Sequence, residues 1–378
     1  HFTSINNTNS LSVIALNWII QTDIMKKVTL YILIALLFSS CENMLDEVPM
    51  DFVSRANYYQ SETDAQGALN GAYAATGPDF YGITYYLMVE LHGDYLNGRG
   101  SQAPISIMHQ VLNQQKIGRV ASNWLTLYRA INRANAVLNN VPNIVDISED
   151  ARTRILAEAH FLRAMAYFEL VRGWGPVPIK TKESTDLTEL ESPRMPESDV
   201  YDLIIEDCIA AESGLLETVG AETGKASKWA AKMLLSHVYL TTGDWAQAAT
   251  KADEVIKSGK YSMVEVTEPN DFYKIFAAET SSEDIMSIHH SETSTSTIPT
   301  YLHRGSAYPY NNSSTGYYAW LPDMNSFIGD SWDTNDLRKQ FNFYTEYQDA
   351  DGNWVSLPST IPVLMKKFIE TPCWMSNT

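Results

Sequence analysis

Apolar positions recur at helical spacing over much of the chain, and the breaks between the runs fall at Gly, Pro and short polar residues. Trp124, Tyr128, Ile131, Ala134 and Leu138 stand three or four apart, which marks one face of a helix. Ile155, Ala159, Leu162, Ala166 and Leu170 form a second such face. Phe161, Met165 and Phe168 widen it, which predicts a helix buried on more than one side. That run stops at Trp174-Gly175-Pro176, where Gly and Pro end helices. Ser61 followed by Asp64 reads as a cap for a short helix through Ala65, Leu69, Ala72 and Tyr73. Ser198 reads as the cap of another, running to about Leu216 with Val200, Ile204, Cys208, Ala211 and Leu215 on its stripe.

Two further runs are joined by a tight turn. Ala231, Leu235, Val238 and Thr242 face one way, Gly243-Asp244 turns the chain, and Trp245, Ala249, Ala252 and Ile256 continue the face. Tyr239, Gly243, Asp244, Trp245 and Ala248 have the spacing of a tetratricopeptide-type helix pair. Ala248 and Ala252 are small enough to let the two helices approach closely. The fold class expected is therefore mainly α: a tetratricopeptide-like helical-repeat scaffold with a loop-rich, aromatic-rich region.

The periodicity fails in two places. Residues 76–118 are broken by Gly and polar residues, and His92 to Gly100 reads as loop around Gly93, Gly98 and Gly100. Residues 264–378 are rich in Tyr, Ser, Thr, Asn and Gly, with one short strand expected at Ile285–His289. Loop-rich regions on a helical scaffold are where binding residues concentrate.

The start of the chain has a different grammar. Met25, Lys26 and Lys27 are a basic start, Val28 to Phe38 an apolar run, and Ser39-Ser40-Cys41 a small-residue site ending in a thiol. This is the layout of a signal peptide, here one that ends at a lipidated Cys41. Phe38 stands where the bacterial lipobox prefers leucine. The apolar run is shorter than the roughly 20 residues a membrane-spanning helix needs. Glu42, Asp46 and Glu47 then begin an acidic tether.

Composition narrows the function. Hydrophobic residues are 45% and charged residues 19%, as in a globular protein. The formal net charge of −18 repels nucleic acid and anionic lipid, so membrane contact is expected through the acyl chain on Cys41 instead. With 9 Trp and 21 Tyr, the chain has ample rings for stacking against a flat ligand. Cys208 is expected as a buried core thiol, and no Cys-x-x-Cys or His-Glu-x-x-His pattern points to a metal. Gly220 to Lys225 falls one residue short of a phosphate loop, and Ala226 replaces the hydroxyl residue that would hold magnesium. There is no Gly-x-Ser-x-Gly elbow. Glu90 and Asp94 form only an arbitrary carboxylate pair among 45 acidic residues. No catalytic group and no cofactor is assigned, and the chain is expected not to be an enzyme.

Several ordered segments resemble the SusD/RagB family of Bacteroidota outer-membrane lipoproteins. They are the tether from Cys41 to Pro49, the run from Trp124 to Asn135, the segment Ala157–Ile179 (AEAHFLRAMAYFELVRGWGPVPI), the helix pair Lys225–Tyr261, and the short Asp333–Lys339 (DTNDLRK). The resemblance implies a helical body with tetratricopeptide-type pairs that binds oligosaccharides, or peptides in some branches, at the cell surface. It also implies a SusC-like TonB-dependent transporter as the partner that receives the ligand. The family continues with further helices beyond the point that corresponds to Thr378, so a C-terminal truncation is expected.

The organisation expected is a non-native leader over 1–24, a signal peptide over 25–40 and a lipidated tether over 41–60. A helical region follows over 61–263, and an incomplete, loop-rich C-terminal region over 264–378. Two loops are the candidate ligand site, by position in the family: Asp94, Tyr95, Asn97 and Arg99 in one, Tyr310, Tyr317 and Trp320 in the other. Trp320 with Tyr310 or Tyr317 would be the stacking platform, and Asn97 and Arg99 the polar contacts. The leading function is a glycan-binding surface lipoprotein, the alternative a peptide-binding one, with an exported glycoside hydrolase third.

Overall fold

The computed structural model describes residue 18, residues 20–30, 58–77, 80–93, 97–98, 103–107, 109, 111, 113–185, 191–276, 278, 280–289, 319–320, 332–333, 335–344, 346–348, 352–356 and 364–365. The chain divides into two units, His1–Tyr58 and Tyr59–Thr378. In the first, residues 20–30 are helical and carry Lys26 and Lys27. Among the described residues no helix is long and apolar enough to cross a membrane. Cys41, Phe38 and Cys373 lie outside the described residues.

The second unit is an array of packed helices. In chain order they are α1 (Glu62–Thr76), α2 (Ile83–Glu90), the short α3 (Ala103–Ser106), α4 (Gln114–Asn140), α5 (Glu149–Trp174), α6 (Glu197–Gly214), α7 (Lys228–Thr242) and α8 (Trp245–Lys257). α1 packs on α4 and α5, α4 on α5, α5 on α6, α6 on α7 and α7 on α8. The starts are set by short polar residues. Ser61 Oγ accepts the Asp64 amide while the Asp64 carboxylate accepts the Ser61 amide, a reciprocal cap. Ser148, Ser227 and Asp244 cap α5, α7 and α8 in the simpler way. α6 departs from expectation. It begins after Pro196, which makes no side-chain cap, and Ser198 lies inside the first turn, bonded to Asp199.

Burial follows the periodic stripes. Ile155, Ala159, Leu162, Ala166, Leu170, Phe161 and Phe168 of α5 are all buried, so α5 is the central helix. One core cluster gathers Leu127, Ile131, Tyr167, Leu170, Ile204 and Leu235. The other gathers Leu69, Val137, Ile155, Leu162, Ala211 and Ala231. Cys208 is free and fully buried among them. At Gly214 the backbones of α5 and α6 come so close that a Cβ would sit 2.8 Å from that of Ala157, closer than two carbons can pack. Gly243 adopts the left-handed conformation, φ 84°, that a side chain would oppose, and its turn delivers the chain into α8.

Three further expectations are corrected. Residues 76–118 are not loop throughout. They contain α2, whose sequence Ile-Thr-Tyr-Tyr-Leu-Met-Val-Glu is apolar all round and so has no stripe to detect. Ile285–His289 is not a strand: among the described residues the segment makes one backbone bond outside regular elements, from the Ser287 amide to the Thr223 carbonyl, and no ladder. In α8 the stripe Trp245, Ala249, Ala252, Ile256 is not the packed face. α8 buries Ala248 and Val255 instead, because Ser236 Oγ of α7 donates to the Ala248 carbonyl (2.9 Å) and fixes the roll. The described remainder is short: α9 (Tyr273–Phe276), α10 (Leu337–Asn342) and three two-stranded pairs. These pair β1 (Asn97–Gly98) with β2 (Ala319–Trp320), β3 (Phe343–Tyr344) with β6 (Leu364–Met365), and β4 (Glu346–Gln348) with β5 (Trp354–Ser356).

Two ionic clusters tie the array together. In the core, Arg163 of α5 forks onto Asp207 of α6 through Nε and Nη2 (2.8 and 2.7 Å). His160 Nδ1 lies 2.6 Å from the same carboxylate. Arg163 Nη1 donates to Asn135 of α4 (2.8 Å), and Asn135 donates onward to the carbonyls of Lys180 and Lys182. Arg163 is 6% exposed and Asp207 2%. Farther along, Lys251 of α8 bonds Glu212 of α6 (2.8 Å), and Lys232 of α7 bonds both Glu212 and Glu254.

Breaking the core pair leaves a buried charge without its partner, so Asp207→Ala should cost about 3–5 kcal/mol, read as a fall in the urea midpoint. A double replacement of Arg163 and Asp207 by Met and Leu should cost much less than Asp207→Ala alone. The second cluster predicts a pH dependence. Burial disfavours the charged form of Glu212, but its bonds to Lys251 and Lys232 outweigh this and hold the carboxyl below its ordinary 4.5. A carboxyl depressed by folding adds stability above its unfolded pKa and loses it as pH falls through the folded one. The urea midpoint should therefore drop more steeply in the parent than in Glu212→Gln as pH is lowered from about 6 to below 4.

Candidate functional site

The two loops singled out in the sequence meet in the fold. β1 and β2 are antiparallel, with Asn97 opposite Trp320 and Gly98 opposite Ala319. The polar and the aromatic candidates that head their respective groups are thus direct backbone partners. Asp94, Tyr95, Arg99, Tyr310 and Tyr317 lie outside the described residues.

β1 is placed by what precedes and follows it. On the leading side, α2 is fastened to the core helices at several points. Tyr81 and Tyr85 donate their hydroxyls to the two oxygens of Glu169 on α5 (3.0 and 2.9 Å), and Arg172 donates to the same carboxylate (2.6 Å). Burial first, and the Glu169 charge second, push both phenols above their ordinary range, so they remain donors at any physiological pH. Asn123 of α4 donates to Met88 Sδ (3.3 Å). Phe80 is buried against both tyrosine rings, with centroids 4.9 and 4.5 Å away. On the trailing side, the Gly98 amide donates to Ser106 Oγ (3.1 Å), which itself donates to the Ala103 carbonyl. Ile105 of the same short helix is buried. β1 is therefore held between an anchored helix and a capped turn.

None of these anchors was legible in the sequence. Tyr81, Tyr85, Glu169 and Ser106 are ordinary residue types, and only the unbroken apolar run Tyr85–Val89 hinted that the loop contains a helix.

The structure also contains a cleft of about 290 Å³ lined by Tyr73, Thr76, Leu162, Met165, Met286 and His289, among others. Several of its polar groups are engaged with protein. Tyr73 donates to Glu158 (2.7 Å) and accepts the Ala226 amide (2.9 Å), Thr76 donates to the Ala72 carbonyl, and His289 Nε2 pairs with Thr223 Oγ1 (2.6 Å). Binding sites need polar groups left over for the ligand, and these four are already committed. Among the described residues no group of His, Cys, Asp and Glu is arranged to hold a metal ion.

Comparison with known proteins identifies the scaffold. Residues 51–240 match the SusD-like family model described as "Starch-binding associating with outer membrane". The chain belongs to the SusD-like family. It is 30% identical over 267 residues to SusD-like protein P25 of Formosa agariphila, covering 66% of this chain and 50% of that protein. It is 26% identical over 339 residues to a SusD-like protein of Bacteroides ovatus, covering 88% and 56%. The chain thus spans about half the length of the curated relatives it matches. Among solved structures, a SusD homologue from Bacteroides thetaiotaomicron superposes with a TM-score of 0.69 at 21% identity, over 83% of this chain and 68% of that one. A laminarin-binding SusD-like protein gives 0.65 at 21%, over 83% and 74%. At that identity these two speak for the fold, a SusD-like helical body.

Proposed function

We propose that this SusD-like chain is a cell-surface lipoprotein that captures an oligosaccharide at the β1–β2 pair and passes it to a SusC-like TonB-dependent transporter. The observation that carries the reading is the register of Asn97 against Trp320, which joins the two loops singled out by their position in the family. Sugar rings offer C–H faces that stack on indole and phenol, while their hydroxyls need amide and guanidinium partners. A site of this kind is expected to combine one apolar surface with a few orienting polar groups. The family description and the laminarin-binding structural relative support a glycan over a peptide. The work is binding, so no turnover of the bound sugar is expected. Cys41 would carry the acyl anchor that holds the protein at the outer membrane, consistent with the family's association with that membrane.

Calorimetry against starch and laminarin fragments tests the site. By analogy with bases stacked on aromatic platforms, Trp320→Ala should cost about 1–3 kcal/mol of binding while leaving the circular dichroism spectrum unchanged. Binding equal to the parent in both Trp320→Ala and Asn97→Ala would move the site elsewhere, and binding of peptides alone would favour the alternative. The anchor is tested separately in a Bacteroidota host. Cys41→Ala should release the protein from membranes, whereas the tagged parent should co-purify a large β-barrel in mild detergent. Retention of the unlipidated variant, or recovery of the parent alone, would count against the anchor and the partner respectively.

A further inference from the structure

The cleft beside α1 is bordered on one side by the segment Met286–His289. That segment is tied down at Thr223. The Ser287 amide donates to the Thr223 carbonyl (3.2 Å), and His289 Nε2 pairs with Thr223 Oγ1 (2.6 Å). Two glycines let it lie close: a Cβ at Gly77 would stand 3.6 Å from Ile288 Cγ2, and one at Gly224 3.1 Å from His289 Cδ2. Another wall belongs to the folded core. Leu162 is buried in it, and Tyr73, Met165 and Met286 pack against the same cluster. The Tyr73 ring is fixed, because its hydroxyl donates to Glu158 and accepts the Ala226 amide. Arg154 holds Glu158 in turn (2.8 Å). The hollow is therefore preformed.

Its chemistry is not that of the β1–β2 pair. Tyr73 Oη, Thr76 Oγ1 and His289 Nε2 are spent on the protein, so sugar hydroxyls buried beside them would give up water for no partner. The lining offers instead the side chains of Leu162 and Ile288 and two thioethers, Met165 and Met286. Methionine sulfur is polarizable and makes favourable contacts with aromatic rings, often at the ring edge. An apolar cavity of about 150 Å³ already admits benzene, and 290 Å³ leaves room for a ring with a substituent. A polar donor stands at the rim. Asn70 accepts from Gln66 through its side-chain oxygen (3.0 Å), and among the described residues its side-chain N–H groups have no partner. They suit an oxygen acceptor carried by the ring.

We propose that this cleft is a second ligand site, other than the glycan-binding loops, and that it takes a small uncharged aromatic molecule with one oxygen substituent, such as a phenol. The ring lies against Met165 and Met286, and the oxygen is directed toward Asn70. An anionic substituent is the poorer fit. Lys225 of the lining is held by Glu222 (2.9 Å), and the net charge of −18 repels anions.

Phenol itself is the probe, read in the full chain by NMR of isotope-labelled methionine methyl groups. It should shift the Met165 and Met286 methyls saturably and leave that of Met263, 85% exposed, unmoved. Cyclohexanol, an alcohol of similar size without a π face, should bind at least tenfold more weakly. Ala74→Trp, at an exposed position of α1 that lines the cleft, should fill the mouth and weaken phenol at least tenfold. Trp320→Ala should bind phenol like the parent, which keeps this site apart from the fate of the glycan loops. Met165 and Met286 methyls that stay in place at millimolar phenol overturn the proposal, whether or not Ala74→Trp folds. Equal affinities for phenol and cyclohexanol, unchanged phenol binding in folded Ala74→Trp, or its loss in Trp320→Ala overturn it as well. So does maltotriose shifting the same two methyls, which would give the cleft to a sugar.

Discussion

The array depends on one buried carboxylate. Asp207 receives both arms of Arg163 and lies beside His160, so α5 and α6 are fixed in rotation and in height at the same point. Arg163 spends its remaining arm on Asn135, and Asn135 spends its amide on the carbonyls of Lys180 and Lys182. Three helices and the segment after Gly175 are thereby tied to one charge pair. Apolar packing alone would tolerate sliding of these helices, since dispersion and burial have little directional preference. Directional bonds in a low-dielectric core do not. The outer cluster of Lys232, Lys251, Glu212 and Glu254 repeats the device at a more exposed level, where water and salt weaken it.

How far the sequence disclosed this depended on periodicity. Where apolar residues recur at helical spacing beside polar ones, as at Ile155–Leu170 or Ala65–Ala72, the stripe was visible, and Ser61 and Gly175 marked ends of these helices. Where apolar residues surround the helix, as in α2, the stripe vanishes and the element went unread. In α8 the stripe was visible but assigned to the wrong side: spacing shows which residues share a face, while the Ser236 bond and the ion pairs decide what that face meets. The ionic clusters were illegible for a similar reason. His160, Arg163 and Asp207 are unremarkable in sequence, and only the packing of α5 on α6 brings them to one point.

The candidate site shows the same division. Gly-rich and Tyr-rich loops were recognisable as places for binding residues, and Asn97 and Trp320 were named from them. Their pairing was not, because a two-residue strand leaves no alternation to detect. Nor was the support of β1 by Glu169, through Tyr81 and Tyr85, which sets α2 against the core helices and so sets where the loop begins. A SusD-like scaffold of this kind separates duties: the helices carry the stability, and the loops between them are free to carry specificity.

The distance in sequence between Asn97 and Trp320 bears on the order of assembly. The contacts of α4 on α5, α5 on α6, α6 on α7 and α7 on α8 join successive helices, and such contacts form early because less chain entropy is lost in closing them. β1 and β2 can meet only after the whole array lies between them. A chain still emerging would already own much of its helical body and yet be unable to pair these two strands. Pairing of the two strands is thus reserved for the molecule that has finished folding.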